Sequence, residues 1–209
     1  MVIVVGKNTA SATLGHMRRV CVFCGSSPGA RPAYTTAAAA MGRALAARGL
    51  GLVYGGGNVG LMGVLADAAL AAGGEVHGVI PEPLRGRELA HAGLTALEVT
   101  AGMHPRKARM VELADAFVAM PGGFGTFDEL FEVMTWAQLG IHSGPIGVLD
   151  VEGYFEPFTA LCARAIGEGF VRPEFAALVV RAAEPDVLLD RLAAHRSPSV
   201  RKWVDLSES

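Results

Sequence analysis

The 209-residue chain is expected to fold as an α/β protein: a doubly wound parallel sheet, Rossmann-like, in three layers α/β/α. Three observations carry that expectation. Short continuous apolar runs alternate with amphipathic stretches, the pattern of βαβ units whose strands are covered on both faces. Half of the residues are hydrophobic (51%) and only 18% are charged, which supplies a sizeable core and argues against disorder as the main state. Three apolar runs also pass into glycine-bearing turns, "CGSS", "YGGGNVGLMG" and "MPGGFGT". Right-handed crossovers bring such turns to the carboxyl edge of one sheet, where doubly wound folds bind their ligands.

Taken in order, "RRVCVFCGSS" reads as a strand entering a small polar turn. "RPAYTTAAAAMGRALAARG" is an alanine-rich helix stopped by Gly49, "LGLVYGGG" a strand ending in glycines, and "GLMGVLADAALAAGG" a helix with a glycine stop. "EVHGVIP" is a strand. Residues 82–102 form a longer, mostly polar excursion holding a strand-like "LTALEVT". "MHPRKARMVELA" is a helix, "DAFVAMPGG" a strand, "TFDELFEVMTWAQLG" a helix and "GPIGVLD" a strand. "YFEPFTALCARAIGEG" and "EPDVLLDRLAAH" close the chain as helices. Residues 17–196 are thus expected to make a single Rossmann-like domain. Residues 1–16 read as a loose N-terminal extension and 197–209 as a C-terminal tail. The first sixteen have no basic segment ahead of their apolar start, which argues against a signal peptide, and Met17 would serve as a start before the first strand.

A net charge of −2, with both signs mixed along the chain, leaves no electrostatic footprint for nucleic acid or an anionic membrane. No run approaches the roughly 20 apolar residues of a membrane span. Cys21, Cys24 and Cys162 make no disulfide framework. The C-x-x-C spacing of the first two has no matching second pair and falls inside a strand-like run, so they read as core thiols of a reducing cytoplasm. No metal and no redox cofactor is implied.

Three motifs carry chemistry. In "GGGNVGLMG", residues 55–63, missing side chains would let an anion approach backbone N–H groups at a helix N-terminus. Its G-x-G-x-x-G also fits simple close packing of strand and helix, and the following acid, Glu75, sits at the wrong end of its strand to reach a ribose. Walker A fails, because no Gly-Lys-Ser/Thr follows. In "PGGFGT", Pro121 stops a strand and Gly122, Gly123 and Gly125 free the backbone for an anion nest. Thr126 then reads as an N-cap, with Glu129 completing a capping box. That arrangement would put Asp128 and Glu129 in the first helical turn, where the dipole favours ionised carboxylates beside a phosphate cradle. In "GMHPRKARM", Arg106, Lys107 and Arg109 lie near the positive end of their helix, behind Pro105. Such cations need a compensating anion or carboxylate, or else form a solvated face with Arg109 and Glu112 paired at i, i+3.

In this order, "GGGNVGLMG", "MHPRK" and "PGGFGTFDE" resemble the LONELY GUY (LOG) family, phosphoribohydrolases that release cytokinin bases from their riboside 5′-monophosphates. The resemblance runs from about Arg18 to about Ala194 and includes "WAQLGIH". It implies that Arg106 and Glu129 are catalytic, that Gly122, Gly123, Gly125 and Thr126 form the phosphate loop, and that Glu88 and Lys107 bind substrate. Ser26, Gly56, Gly57, Phe124, Phe127 and Asp128 are expected around the same nucleotide. Asp128 stands where plant members usually carry Glu, and Phe124 where many carry Tyr. Family members are often labelled lysine decarboxylases, but only three lysines are present and none has a pyridoxal-phosphate setting.

The expected function is hydrolysis of the N-glycosidic bond of N6-substituted adenosine 5′-monophosphates, with AMP as a further substrate. A non-catalytic nucleotide carrier on the same fold and a broad AMP nucleosidase stand as alternatives. The helix holding Leu130, Phe131, Val133, Met134, Trp136 and Leu139 is apolar on more than one face, which suits a homodimer or one deeply buried helix.

Overall fold

A computed structural model of the protein describes residues 17–85 and 90–196. Seven strands form one parallel sheet: β1 (Arg19–Phe23), β2 (Gly51–Tyr54), β3 (Val76–Pro81), β4 (Ala96–Thr100), β5 (Ala116–Ala119), β6 (Ile146–Leu149) and β7 (Val179–Ala182). Their spatial order is β4-β3-β2-β1-β5-β6-β7. The chain winds outward from β1 in one direction through β2, β3 and β4, then returns to the other side of β1 with β5. The connections leaving β1 and β5 therefore diverge at a topological switch point, which opens a crevice at their carboxyl ends.

The helices are α1 (Pro32–Ala47), α2 (Gly60–Ala71), a single turn α3 (Glu82–Arg85), α4 (Met103–Leu113), α5 (Phe124–Gln138), α6 (Glu156–Gly167) and α7 (Pro185–Ala194). Helix α1 begins with a proline whose missing N–H costs nothing in the first turn. It ends where Gly49, at φ 66°, lets Leu50 N–H reach the Leu45 carbonyl and its own N–H the Ala46 carbonyl. That paired termination recurs at Gly140 after α5.

Period-two alternation along β1 sorts the two halves of the core. Val20, Val22 and Cys24 join a cluster with α1, α2 and α7, while Cys21 and Phe23 join one with Met110 of α4 and Leu130 and Val133 of α5. Cys21 and Cys24 thus face opposite layers, and both are free and buried, as core thiols should be.

Three elements depart from expectation, the first being the helical turn α3 inside the stretch 82–102 that reads as a polar excursion. Strand β7 was not foreseen: "VVRA" is a four-residue edge strand, and only Ala182 is buried. Helix α5 starts at Phe124, two residues ahead of the expected Thr126, with Gly123 as N-cap and no side-chain cap. No helix of the described residues is long and apolar enough to cross a membrane.

Candidate active site

At the switch point the turns after β1, β2 and β5 are pressed together. Gly25 N–H donates to the Pro121 carbonyl at 3.1 Å, and Leu61 N–H donates to the Gly25 carbonyl at 3.0 Å. Gly60, at φ 59°, lies so close to the first turn that a Cβ there would stand 2.3 Å from the Ser26 carbonyl carbon. Ser26 and Ser27 remain exposed at the rim.

Beneath these turns, Arg106 reaches in from α4. Its Nε donates to the Val79 carbonyl at 3.0 Å and its Nη1 to Glu129 Oε1 at 3.1 Å. Room for the guanidinium comes from Gly55, where a Cβ would lie 2.2 Å from Arg106 Nη2. Arg106 is 7% and Glu129 8% exposed. A buried ion pair pays a large desolvation cost, so it persists where the geometry is good and other groups satisfy the remaining donors, as Val79 does here. Burial pushes the Cys21 and Cys24 thiols well up; the Glu129 charge adds to both, while Arg106 opposes it at Cys21.

The cation cluster of α4 is compensated by carboxylates, and the i, i+3 pair of Arg109 with Glu112 forms as well, so parts of both readings hold. The Lys107 ammonium lies 3.1 Å from Asp128 Oδ2 and 2.9 Å from Glu132 Oε1. Burial alone would depress the Lys107 pKa, but hydrogen bonds to Glu132 and Asp128 outweigh it and the net shift is upward. Arg109 pairs with Glu98 at 2.6 Å and with Glu112 at 3.1 Å. Its pKa is raised, first by the bond to Glu98 and then by that to Glu112. Lys107 and Asp128 therefore bind α4 to α5.

The capping box is not formed. Thr126 is the third residue of α5 and 3% exposed, and its side chain packs on the loop: a Cβ on Gly122 would meet Thr126 Oγ1 at 2.1 Å. Asp128 and Glu129 fall in the second turn, and Glu129 turns to Arg106 instead of to the helix end. The end itself is open. Phe124 is 91% exposed, and a Cβ on Gly123 or Gly125 would meet nothing within 4 Å. Backbone N–H groups of a first helical turn lack intrahelical acceptors and carry the positive end of the dipole, so an open terminus of this kind has donors free to meet an anion.

Gly56 and Gly57 are buried. The Gly56 carbonyl accepts from His91 N–H at 3.1 Å, and Gly57 bridges Ala90. Within "GGGNVG", Gly55 makes room for the Arg106 guanidinium and Gly60 for the turn after β1, both places of close approach. Glu88 lies outside the described residues. Glu75 precedes β3, at the opposite edge of the sheet from the three turns, as expected. Sequence reading missed Tyr154, which follows the short 3-10 turn Val151–Gly153 after β6. Its ring stacks on Phe127, and its hydroxyl donates to the Gly122 carbonyl. The available signal was position: Tyr154 trails a strand at the same sheet edge as the other turns.

The chain is 45% identical over 195 residues to a probable cytokinin riboside 5′-monophosphate phosphoribohydrolase of Oryza sativa subsp. japonica, covering 93% of this chain and 80% of that one. It is 46% identical over 180 residues to a cytokinin riboside 5′-monophosphate phosphoribohydrolase of Arabidopsis thaliana, covering 86% and 83%. The chain belongs to the LOG family. A family profile described as possible lysine decarboxylase also matches residues 62–192. Among the described residues Lys107 is the one lysine of this LOG protein, and its ammonium is held charged by two carboxylates. A Schiff-base lysine needs the reverse, a free amine with a lowered pKa. Among solved structures, the molybdenum cofactor binding protein of Rippkaea orientalis superposes with a TM-score of 0.64, covering 86% of this chain and 97% of that one. At 22% identity it shows that the LOG chain shares that fold, and nothing more.

Proposed function

We propose that this protein hydrolyses the N-glycosidic bond of cytokinin riboside 5′-monophosphates, giving the free N6-substituted adenine and ribose 5-phosphate. One observation carries the reading: a buried Arg106–Glu129 pair lies below the open N-terminus of α5, at the switch point of the sheet. In this reading the 5′-phosphate rests on the N–H groups at Gly123, Phe124 and Gly125, with Ser26 at the rim. The ribose then lies over Glu129.

Breaking the bond to the base builds positive charge on the ribose, as in other glycoside hydrolysis. The Glu129 carboxylate offsets that charge and accepts a proton from the attacking water. Arg106 holds the carboxylate in place before the reaction, so no reorganisation is needed when the charge appears. Water oxygen bonds to C1′ as the C1′–N9 bond breaks; the departing base takes one proton from solvent, and Glu129 gives the proton taken from water back to solvent, which restores the carboxylate. Asp128, committed to Lys107, takes no part in the step.

We further infer a homodimer in which α5 and α6 meet the partner. No residue of α6 is buried, and Phe131, Leu139, Ile141 and Leu161 are exposed on or just after the two helices. Phe131 meets Phe158 of α6 edge to face at 5.6 Å, so the two helices present exposed apolar side chains next to one another. Residues 17–196 are read as one domain, and the free buried thiols suit the cytoplasm.

The test is incubation with N6-isopentenyladenosine 5′-monophosphate and with AMP, following base and ribose 5-phosphate. Release of both products, faster from the substituted nucleotide, is expected. Equal rates would point to a broad AMP nucleosidase, and binding without release to a carrier.

A further inference from the structure

The hydroxyl of Tyr154 is a polar group that the steps above leave unused, and its setting is unusually constrained. The ring is gripped on three sides. It stacks with Phe127 at 6.4 Å and 16°, and meets Tyr34 edge-on at 5.8 Å and 77° and Phe155 edge-on at 5.2 Å and 85°. A ring so held has its hydroxyl direction set by packing. That hydroxyl donates to the carbonyl of Gly122.

Gly122 opens the glycine loop and is packed hard itself. A Cβ there would meet Thr126 Oγ1 at 2.1 Å and Gly25 N at 2.8 Å. The peptide joining Gly122 to Gly123 is planar and trans, so its carbonyl and its N–H point in opposite directions. With the carbonyl anchored on Tyr154, the Gly123 N–H is turned away from the aromatic cluster. Gly123 is the N-cap of α5, exposed and with open space around its Cβ position.

We propose that Tyr154 is a positioning residue for the phosphate end of the substrate. Its hydroxyl fixes the Gly122–Gly123 peptide so that the Gly123 N–H is presented to the anion. This inference rests on the phosphoribohydrolase reading, since it assigns the α5 terminus to the 5′-phosphate. Tyr154 touches no reacting atom and acts through the loop.

Tyr154→Phe in the full chain removes the hydroxyl and keeps the ring. Ribose 5-phosphate affinity is read by calorimetry, and KM and kcat with N6-isopentenyladenosine 5′-monophosphate. The Kd of ribose 5-phosphate and KM should both rise by about three- to tenfold, the share of one hydrogen bond, with kcat held within about twofold. Inhibition by free adenine, which lacks the phosphate, should not move. Unchanged Kd and KM would overturn the proposal. So would a loss confined to kcat and Tm, which is what a purely structural role gives. If the wild-type protein binds ribose 5-phosphate but releases no base, the hydrolase reading falls while the affinity comparison still decides the role of Tyr154. Wild-type protein that neither binds ribose 5-phosphate nor releases base would overturn both.

Discussion

Substituting Gly55 by alanine should disable the site without contacting the substrate. The new Cβ would stand 2.2 Å from Arg106 Nη2 and 3.1 Å from Met62 Sδ, whereas ordinary contact begins at 3.4 Å. The guanidinium must therefore retreat by more than an ångström. It can, because it is the far end of a flexible side chain, so the fold should survive. The Arg106–Glu129 bond is 3.1 Å long and would stretch beyond hydrogen-bonding range. Losing one charge-assisted bond costs about 1.5–3 kcal/mol. In a domain of this size that lowers Tm by about 3–12 °C. A displacement near 1 Å at a catalytic group can cost about 100-fold in rate. Gly55→Ala is thus expected to lower kcat/KM by about two orders of magnitude while remaining folded, as read by steady-state kinetics, circular dichroism and a thermal melt. A folded variant with kcat/KM within about twofold of wild type would show that Arg106 need not hold Glu129.

Three further outcomes are expected. Gly125→Ala has free space inside helix α5 and should raise Tm by about 1–4 °C through helix propensity, yet its methyl group crowds the anion site and should raise KM; thermal melts and kinetics together check this pairing. Phe131→Asp puts a charge on the exposed side of α5 and should make monomer of the homodimer inferred above, as measured by light scattering on a size-exclusion column. His142 donates its Nε2–H to the Val133 carbonyl while its Nδ1 is buried without a partner, and burial lowers its pKa. A depressed folded pKa means that the neutral ring stabilises the fold above the ordinary value of about 6.5, and that this is lost as pH falls through the folded pKa. Urea melts of His142→Gln should therefore show a smaller loss of stability between pH 7 and 5 than wild type, with His195, also depressed by burial, keeping part of the slope.

Much of this architecture was legible because it follows from periodicity and chain topology. Apolar runs, glycine stops and the βαβ rhythm located six of the strands, and the rule for parallel crossovers put the three glycine turns at one edge. Strand β7 escaped because four residues with a single buried side chain leave no alternation to read. The start of α5 was misplaced because Gly122, Gly123 and Gly125 are poor helix formers and Thr126 is a good cap. With glycine as the N-cap and no side-chain cap, the usual marker of a helix start is missing. The residues Arg106 and Glu129 were named from the motif, but their contact joins two helices across the sheet edge. Likewise, the need for glycine at position 55 comes from a side chain fifty-one positions later, which no local pattern reports. Tyr154 had no motif around it at all.

The central claim is that Glu129 works on the sugar while the α5 terminus holds the phosphate, and Glu129→Gln tests it most directly. The amide keeps the shape, and the affinity for ribose 5-phosphate measured beside kcat shows whether the loop is intact. The account predicts that kcat for N6-isopentenyladenosine 5′-monophosphate falls by about 1,000-fold, in line with losing a preorganised charge, while the Kd of ribose 5-phosphate stays within about threefold. Hydrolysis within about tenfold of wild type, with the same products, would contradict it and leave Glu129 as a partner of Arg106 alone.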